Sequence, residues 1–156
     1  EDFERKLPAT LGHMCAEVTS KSAQIRTELC PSIYELLVAL RRQGKLLGVV
    51  SGNLEPIGWL KLEAAGLREF FAFGSFSDRN ESREEIFRHG SVEARRRRHE
   101  RATVCIVGDT PADIQAARRL GVPVIAVATG VYSLEDLSSQ APTVCVSCCT
   151  ELLARG

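Results

Sequence analysis

Hydrophobic positions along the chain fall into short apolar runs separated by stretches in which they recur at helical spacing. Leu46-Leu47-Gly48-Val49-Val50, Thr103-Val104-Cys105-Ile106-Val107, Val122 to Val127 and Thr143 to Val146 are runs of the buried-strand type. Phe70 to Phe73 predicts another short strand. Between these runs, Pro31 opens a helix through Ile33, Leu36, Leu37 and Leu40 that stops near Gly44. Asn53 is placed to cap a helix running through Trp59, Leu60, Leu62 and Ala65 to Gly66. A charged helix from about Arg83 to Glu100, one from Pro111 to Leu120 and one from Ser133 to Ser139 follow, with Ser75 to Ser82 as a loop. The segment before Leu29 is polar, and Leu11, Met14, Cys15, Val18 and Ile25 line one helical stripe, which predicts helices outside the main core.

Strands that alternate with helices through short loops predict an α/β fold, a parallel sheet sandwiched between helices. The length of 156 residues suits one ordinary domain. Twenty basic and twenty acidic side chains cancel, so no long-range field draws in nucleic acid or an anionic membrane, and neither is expected as a partner. No run approaches the roughly 20 apolar residues that span a bilayer, and Glu1-Asp2-Phe3-Glu4-Arg5-Lys6 has no signal-peptide pattern, so the expectation is a soluble, cytoplasmic chain.

The remaining chemistry-bearing residue types narrow quickly. Cys105 lies in an apolar run and reads as a small hydrophobe, which favours reduced thiols over a disulfide framework. Cys145-x-x-Cys148-Cys149 has metal-like spacing but no second Cys or His pair to complete four ligands. Arg95-Arg96-Arg97-Arg98-His99 is interleaved with Glu84, Glu85, Glu93 and Glu100, so it reads as a solvated helix face more readily than as a nucleic-acid patch. Trp59 and Phe70, Phe71 and Phe73 read as core.

In parallel sheets ligands bind beyond the carboxyl ends of strands. Two such ends are rich in small polar residues. Asp109 follows a buried-type strand at a strand-to-helix turn, where a carboxylate can face a hard cation such as magnesium. Thr110 is a plausible N-cap and Pro111 suits the first helical turn, which puts Asp113 at the third helical position, facing the same turn. Asp113 has two open roles, metal binding or completion of a capping box. At the other strand end, Ser51-Gly52-Asn53 offers a hydroxyl and unpaired backbone N–H groups suited to a phosphate oxygen, or serves as an ordinary helix cap.

Together, Gly48-Val49-Val50-Ser51-Gly52-Asn53 and Gly108-Asp109-Thr110-Pro111-Ala112-Asp113 resemble two motifs of the haloacid dehalogenase superfamily, and look most like its phosphoglycolate-phosphatase-like branch. The resemblance runs from about Cys30 to Gly156. It implies a Rossmann-like core over residues 30–156 and a remnant of a helical cap over residues 1–29. It implies magnesium-dependent hydrolysis of a small phosphorylated metabolite through an aspartyl-phosphate, with dehalogenase or phosphomutase chemistry as alternatives within the superfamily. By the same resemblance Ser51, Gly52, Asn53 and Arg79 bind phosphate, Ser51 and Arg79 act in catalysis, and Asp109 and Asp113 bind or orient Mg2+. Arg79, in Phe73-Gly74-Ser75-Phe76-Ser77-Asp78-Arg79-Asn80, stands where the family carries a cation, with Arg83 in reserve.

One family motif has no counterpart. Nothing matches the Asp-x-Asp-Gly turn whose first Asp attacks phosphorus and whose second acts as acid and base. In the family its strand lies between those that end at Ser51 and Asp109. Without it the two would stand roughly 10 Å apart with unpaired backbone between them. The expectation is a protein that begins upstream, with these residues alone unstable or inactive; the alternative is a pseudo-phosphatase or interaction module. Substrate identity and oligomeric state stay open.

Overall fold

After three successive helices, strand and helix alternate in the computed structural model, which describes residues 2–79 and 82–155; the side chains of residues 2–7, 27, 79 and 155 lie outside the described residues. The order is α1 (Asp2–Ser20), α2 (Ser22–Thr27), α3 (Ile33–Arg42), β1 (Gly48–Val50), α4 (Glu55–Ala65) and β2 (Phe73–Ser75). It continues with α5 (Arg83–Arg98), β3 (Ile106–Gly108), α6 (Pro111–Arg119), β4 (Val124–Val127), α7 (Leu134–Ser139), β5 (Val144–Val146) and α8 (Cys149–Arg155). Short 3-10 turns at Arg68–Phe70 and Ser77–Arg79 precede and follow β2.

All strand pairs are parallel, in two sheets of order β1-β2 and β3-β4-β5. Side chains alternate between faces along β4, which is why it is apolar at every position. Val124 and Ala126 face α5 and α6, in a cluster with Phe87, Ile114 and Leu137, while Val127 faces Val146, Cys149 and the flanks of α3 and α8. Burying each large side chain of this kind stabilises the fold by about 1.5–3 kcal/mol. The helices α1 and α2 pack on α4, outside both sheets, with Val18 as the buried contact of their stripe.

Helix ends follow the local chemistry. Ser82, Thr110 and Ser133 each form a reciprocal capping box, with Glu85, Asp113 and Asp136. Gly66 ends α4 with φ 72°, a left-handed conformation a side chain would oppose.

Three expectations are corrected. Phe70 lies in a 3-10 turn, buried against α3, and the strand begins at Phe73, because Phe70 and Leu67 complete the apolar cluster around Leu37. Asn53 does not cap α4; Asp78, from the loop after β2, accepts the Glu55 N–H instead. Cys105 precedes β3 and is exposed, and Val107 is 55% exposed, so β3 is covered on one face only. Residues 149–155, for which the pattern made no prediction, form a helix that packs Cys149 and Leu152 on one face.

The two sheets share no ladder. Successive residues of a parallel strand send their N–H and C=O to opposite sides. Ser51 N–H donates to Ser75 O and Leu47 O accepts from Ala72, so Val50 and Gly48 direct theirs away from β2. Ile106 N–H donates to Pro123 O, beside β4, so Val107 directs its groups the other way. The inner edges of β1 and β3 therefore both present backbone groups that neither sheet uses.

Candidate active site at the strand carboxyl ends

Four loops that follow strands meet through a chain of contacts. Ser77 N–H donates to Asn53 O at 3.2 Å, joining the loop after β2 to the one after β1. Arg83 opens α5 and reaches across to the turn after β3, its Nε 3.3 Å from Asp113 Oδ1. In that turn the Asp109 carboxylate lies against the loop after β4, where a Cβ added to Gly130 would sit 2.3 Å from Asp109 Oδ2.

The loop after β1 is folded around the Ser51 hydroxyl. Its oxygen accepts from Asn53 N–H at 3.1 Å and from Asn53 Nδ2 at 2.8 Å. With both lone pairs engaged, the hydroxyl has its proton left to donate, and no described residue takes it. Asn53 Oδ1 in turn accepts from Lys61 Nζ at 3.1 Å. Gly52 is exposed, and no atom stands within 4 Å of where its Cβ would be. The result is an outward-facing O–H beside an open backbone, which suits an anion that accepts hydrogen bonds.

Asp113 is organised differently. It is 5% exposed, accepts from Asp109 N–H at 3.3 Å and Thr110 N–H at 3.2 Å, and forms an ion pair with the Arg83 guanidinium. Gly108 makes this approach possible, since a Cβ there would lie 2.6 Å from Asp113 Cβ. The capping box and the ion pair with Arg83 thus coexist in one carboxylate. Arg83 is 38% exposed, and among the described residues its two Nη groups have no hydrogen-bond partner.

Asp109 contrasts with Asp113. It is half-buried, and no described residue donates to its carboxylate. A carboxylate left without a donor at the mouth of a site suits a hard, oxygen-seeking cation, and magnesium commonly takes one or two carboxylates together with water and substrate phosphate. Among the described residues no three His, Cys, Asp or Glu side chains form a cluster.

Of the residues read from the sequence, Ser51, Gly52 and Asn53 share one loop and Asp109 and Asp113 share one turn. Arg79 closes a 3-10 turn, and its side chain lies outside the described residues. Arg83, the reserve, is the cation tied to Asp113. Lys61 and Asp78 were not anticipated, because their partners lie 8 and 23 residues away and leave no mark on local pattern.

A family profile described as haloacid dehalogenase-like hydrolase matches residues 2–127, and this chain belongs to that family. Its kinship lies with the phosphoglycolate-phosphatase-like branch. A phosphoglycolate phosphatase of Mesorhizobium japonicum is 26% identical over 146 residues, 94% of this chain and 62% of that protein. The "Probable phosphatase IndB" of Dickeya dadantii is 28% identical over 123 residues, 79% of this chain and 54% of that protein. A haloacid dehalogenase-like hydrolase of Streptococcus pneumoniae superposes with a TM-score of 0.68 at 22% identity, over 80% of this chain and 58% of that one, which shows the shared fold. The chain thus spans little more than half the length of the relatives it matches.

Proposed function

We propose that these residues form the phosphate-binding and metal-binding part of a magnesium-dependent phosphomonoesterase that acts on a small phosphorylated metabolite, with phosphoglycolate as the first candidate. The observation that carries this reading is the placement of three complementary groups on segments that follow parallel strands: the Ser51 hydroxyl, the Arg83 guanidinium, whose Nη groups no described residue bonds, and the Asp109 carboxylate, to which no described residue donates.

In this reading Ser51 O–H and the backbone around Gly52 and Asn53 hold one phosphate oxygen. Arg83 donates to others in the two-pronged manner of a guanidinium. Arg83, the reserve to Arg79, is the cation this reading uses, because its Nε is paired with Asp113 and no described residue bonds its Nη groups. Asp113 positions: it orients Arg83 and holds the turn that presents Asp109. Mg2+ held by Asp109 supplies positive charge that offsets the phosphate and its attacking group.

Transfer through an aspartyl-phosphate requires a carboxylate nucleophile, and the sequence contains no Asp-x-Asp turn. The unpaired inner edges of β1 and β3 suit one more parallel strand between them, with its carboxyl end at Ser51 and Asp109. We place the nucleophile and the acid-base carboxylate at the end of such a strand, in the whole protein. Residues 30–156 are then a Rossmann-like core that lacks its first strand, and residues 1–29 are part of a helical cap.

Steady-state hydrolysis of phosphoglycolate by the whole protein and its Ser51→Ala and Arg83→Ala variants tests this. Losing an electrostatic contact to the transferring group should lower kcat/KM by about 100-fold or more in each. Variants that retain wild-type kcat/KM would remove both residues from the site.

A further inference from the structure

Cys30 lies in the connection between α2 and α3, and Cys149 is the first residue of α8. Although they are 119 positions apart, their Sγ atoms are 3.2 Å apart, with Cys30 donating to Cys149. Cys149 is 5% exposed among Val127, Val146 and the flank of α3, whereas Cys30 is half-buried. Next to them Thr150 Oγ1 donates to Ser32 Oγ at 3.0 Å, so two pairs fix the start of α8 against the start of α3. An S–S bond is about 2.05 Å long, so a closing movement of roughly 1 Å separates the present contact from a covalent one. A thiol–thiol contact is a weak interaction, and packing alone gives no reason for two sulfurs to meet. No third ligand stands with them among the described residues, which sets metal binding aside.

We propose that Cys30 and Cys149 are a reversible dithiol–disulfide pair, oxidised by a small-molecule disulfide of the glutathione type, whose closure locks α8 to the junction between α2 and α3. Burial, with the neighbouring Cys30 sulfur, pushes the Cys149 thiol up to about 12. Cys149 therefore stays protonated, and the more accessible Cys30 attacks first.

The Cys30 thiolate attacks one sulfur of the glutathione disulfide, forming a mixed disulfide and expelling one glutathione thiolate. Cys149, losing its proton, attacks the Cys30 sulfur and expels the second glutathione. The two thiols lose two electrons and two protons; one glutathione disulfide becomes two glutathione thiols. The new bond closes a long loop and restricts the unfolded chain, so oxidation should raise thermal stability.

The test places the reduced protein in glutathione buffers of rising oxidised fraction, blocks free thiols with N-ethylmaleimide and maps the linkages by proteolysis and mass spectrometry. The expected result is one Cys30–Cys149 linked peptide pair, loss of two free thiols and reversal by dithiothreitol. The melting temperature should rise by several degrees on oxidation in the wild type and Cys148→Ser, but not in Cys30→Ser or Cys149→Ala. Glutathione carried on Cys148 alone, a linkage between other cysteines, or six unmodified thiols at the most oxidising buffer would each overturn the proposal. The linkage map of the wild type decides the matter even if Cys149→Ala fails to fold.

Discussion

Replacing Asp113 by Ala should cost far more stability than replacing its partner Arg83. The Asp113 carboxylate accepts from Asp109 N–H and Thr110 N–H and is ion-paired with Arg83 Nε, at 3.2–3.3 Å, while only 5% exposed. Removing one member of a buried ion pair typically costs about 3–5 kcal/mol, because the partner is left uncompensated. Arg83, 38% exposed, rehydrates when its partner goes, which puts the expected loss near the low end, about 3 kcal/mol. In Arg83→Ala the carboxylate keeps its two backbone donors, so the loss should be about 1 kcal/mol. With a urea m-value of about 2 kcal/mol/M, Asp113→Ala should lower the unfolding midpoint by about 1.5 M and Arg83→Ala by about 0.5 M. Urea unfolding followed by circular dichroism measures both. If Asp113→Ala falls within about 0.5 kcal/mol of wild type, or below Arg83→Ala in cost, the carboxylate does not organise the turn.

Three further outcomes follow from the same geometry. In Gly58→Ala the new Cβ would fall 2.3 Å from the Phe76 ring, itself held by Trp59 edge-on at 5.1 Å, so an overpacking cost of about 1–3 kcal/mol should exceed the gain of about 1 kcal/mol from helix propensity; a higher melting temperature would contradict this. Ser82→Ala removes the side chain that caps α5 and should cost about 1 kcal/mol in denaturant unfolding, whereas Ser82→Asn, an equally good cap, should be near neutral. The Cys148 thiol is held below the usual thiol range, first by the Glu151 N–H and then by Ser147 and Thr150, while Cys149 is pushed up to about 12. As pH rises towards 8, iodoacetamide should therefore label Cys148 before Cys149, and equal labelling by mass spectrometry would refute the difference.

Hydrophobic period and turn chemistry made most of the fold legible. The α/β alternation, the parallel sheets and the ends of α3, α5, α6 and α7 follow from local rules, and the Thr110-to-Asp113 capping box was readable from its spacing. What escaped depends on tertiary contact. Phe70 belongs to a strand by residue type, but packing with Leu37 and Leu67 holds it in a 3-10 turn. Asp78 displaces Asn53 as the cap of α4 because the loop after β2 folds over the helix start. At the candidate site, Ser51, Asp109 and Asp113 were visible as strand-end residues. The ion pair of Arg83 with Asp113 was not, because it crosses the space between two helix N-termini.

The polybasic run was read correctly from its surrounding charges, though its partners were not named. Arg96 and Arg97 both bond Glu93, whose carboxyl they hold down to about 2, and Arg97 also reaches Ala72 O and the Phe73 ring. Arg96 to His99 are all exposed, so the run is the solvated helix face that composition suggested.

The most direct measurement of the central claim is phosphate release from phosphoglycolate by the whole protein across a magnesium titration, compared with Asp109→Asn of matched circular dichroism. The account predicts release that rises with Mg2+, disappears in EDTA and drops by about 100-fold or more in Asp109→Asn. Equal release with and without Mg2+, or undiminished turnover in Asp109→Asn, would contradict it.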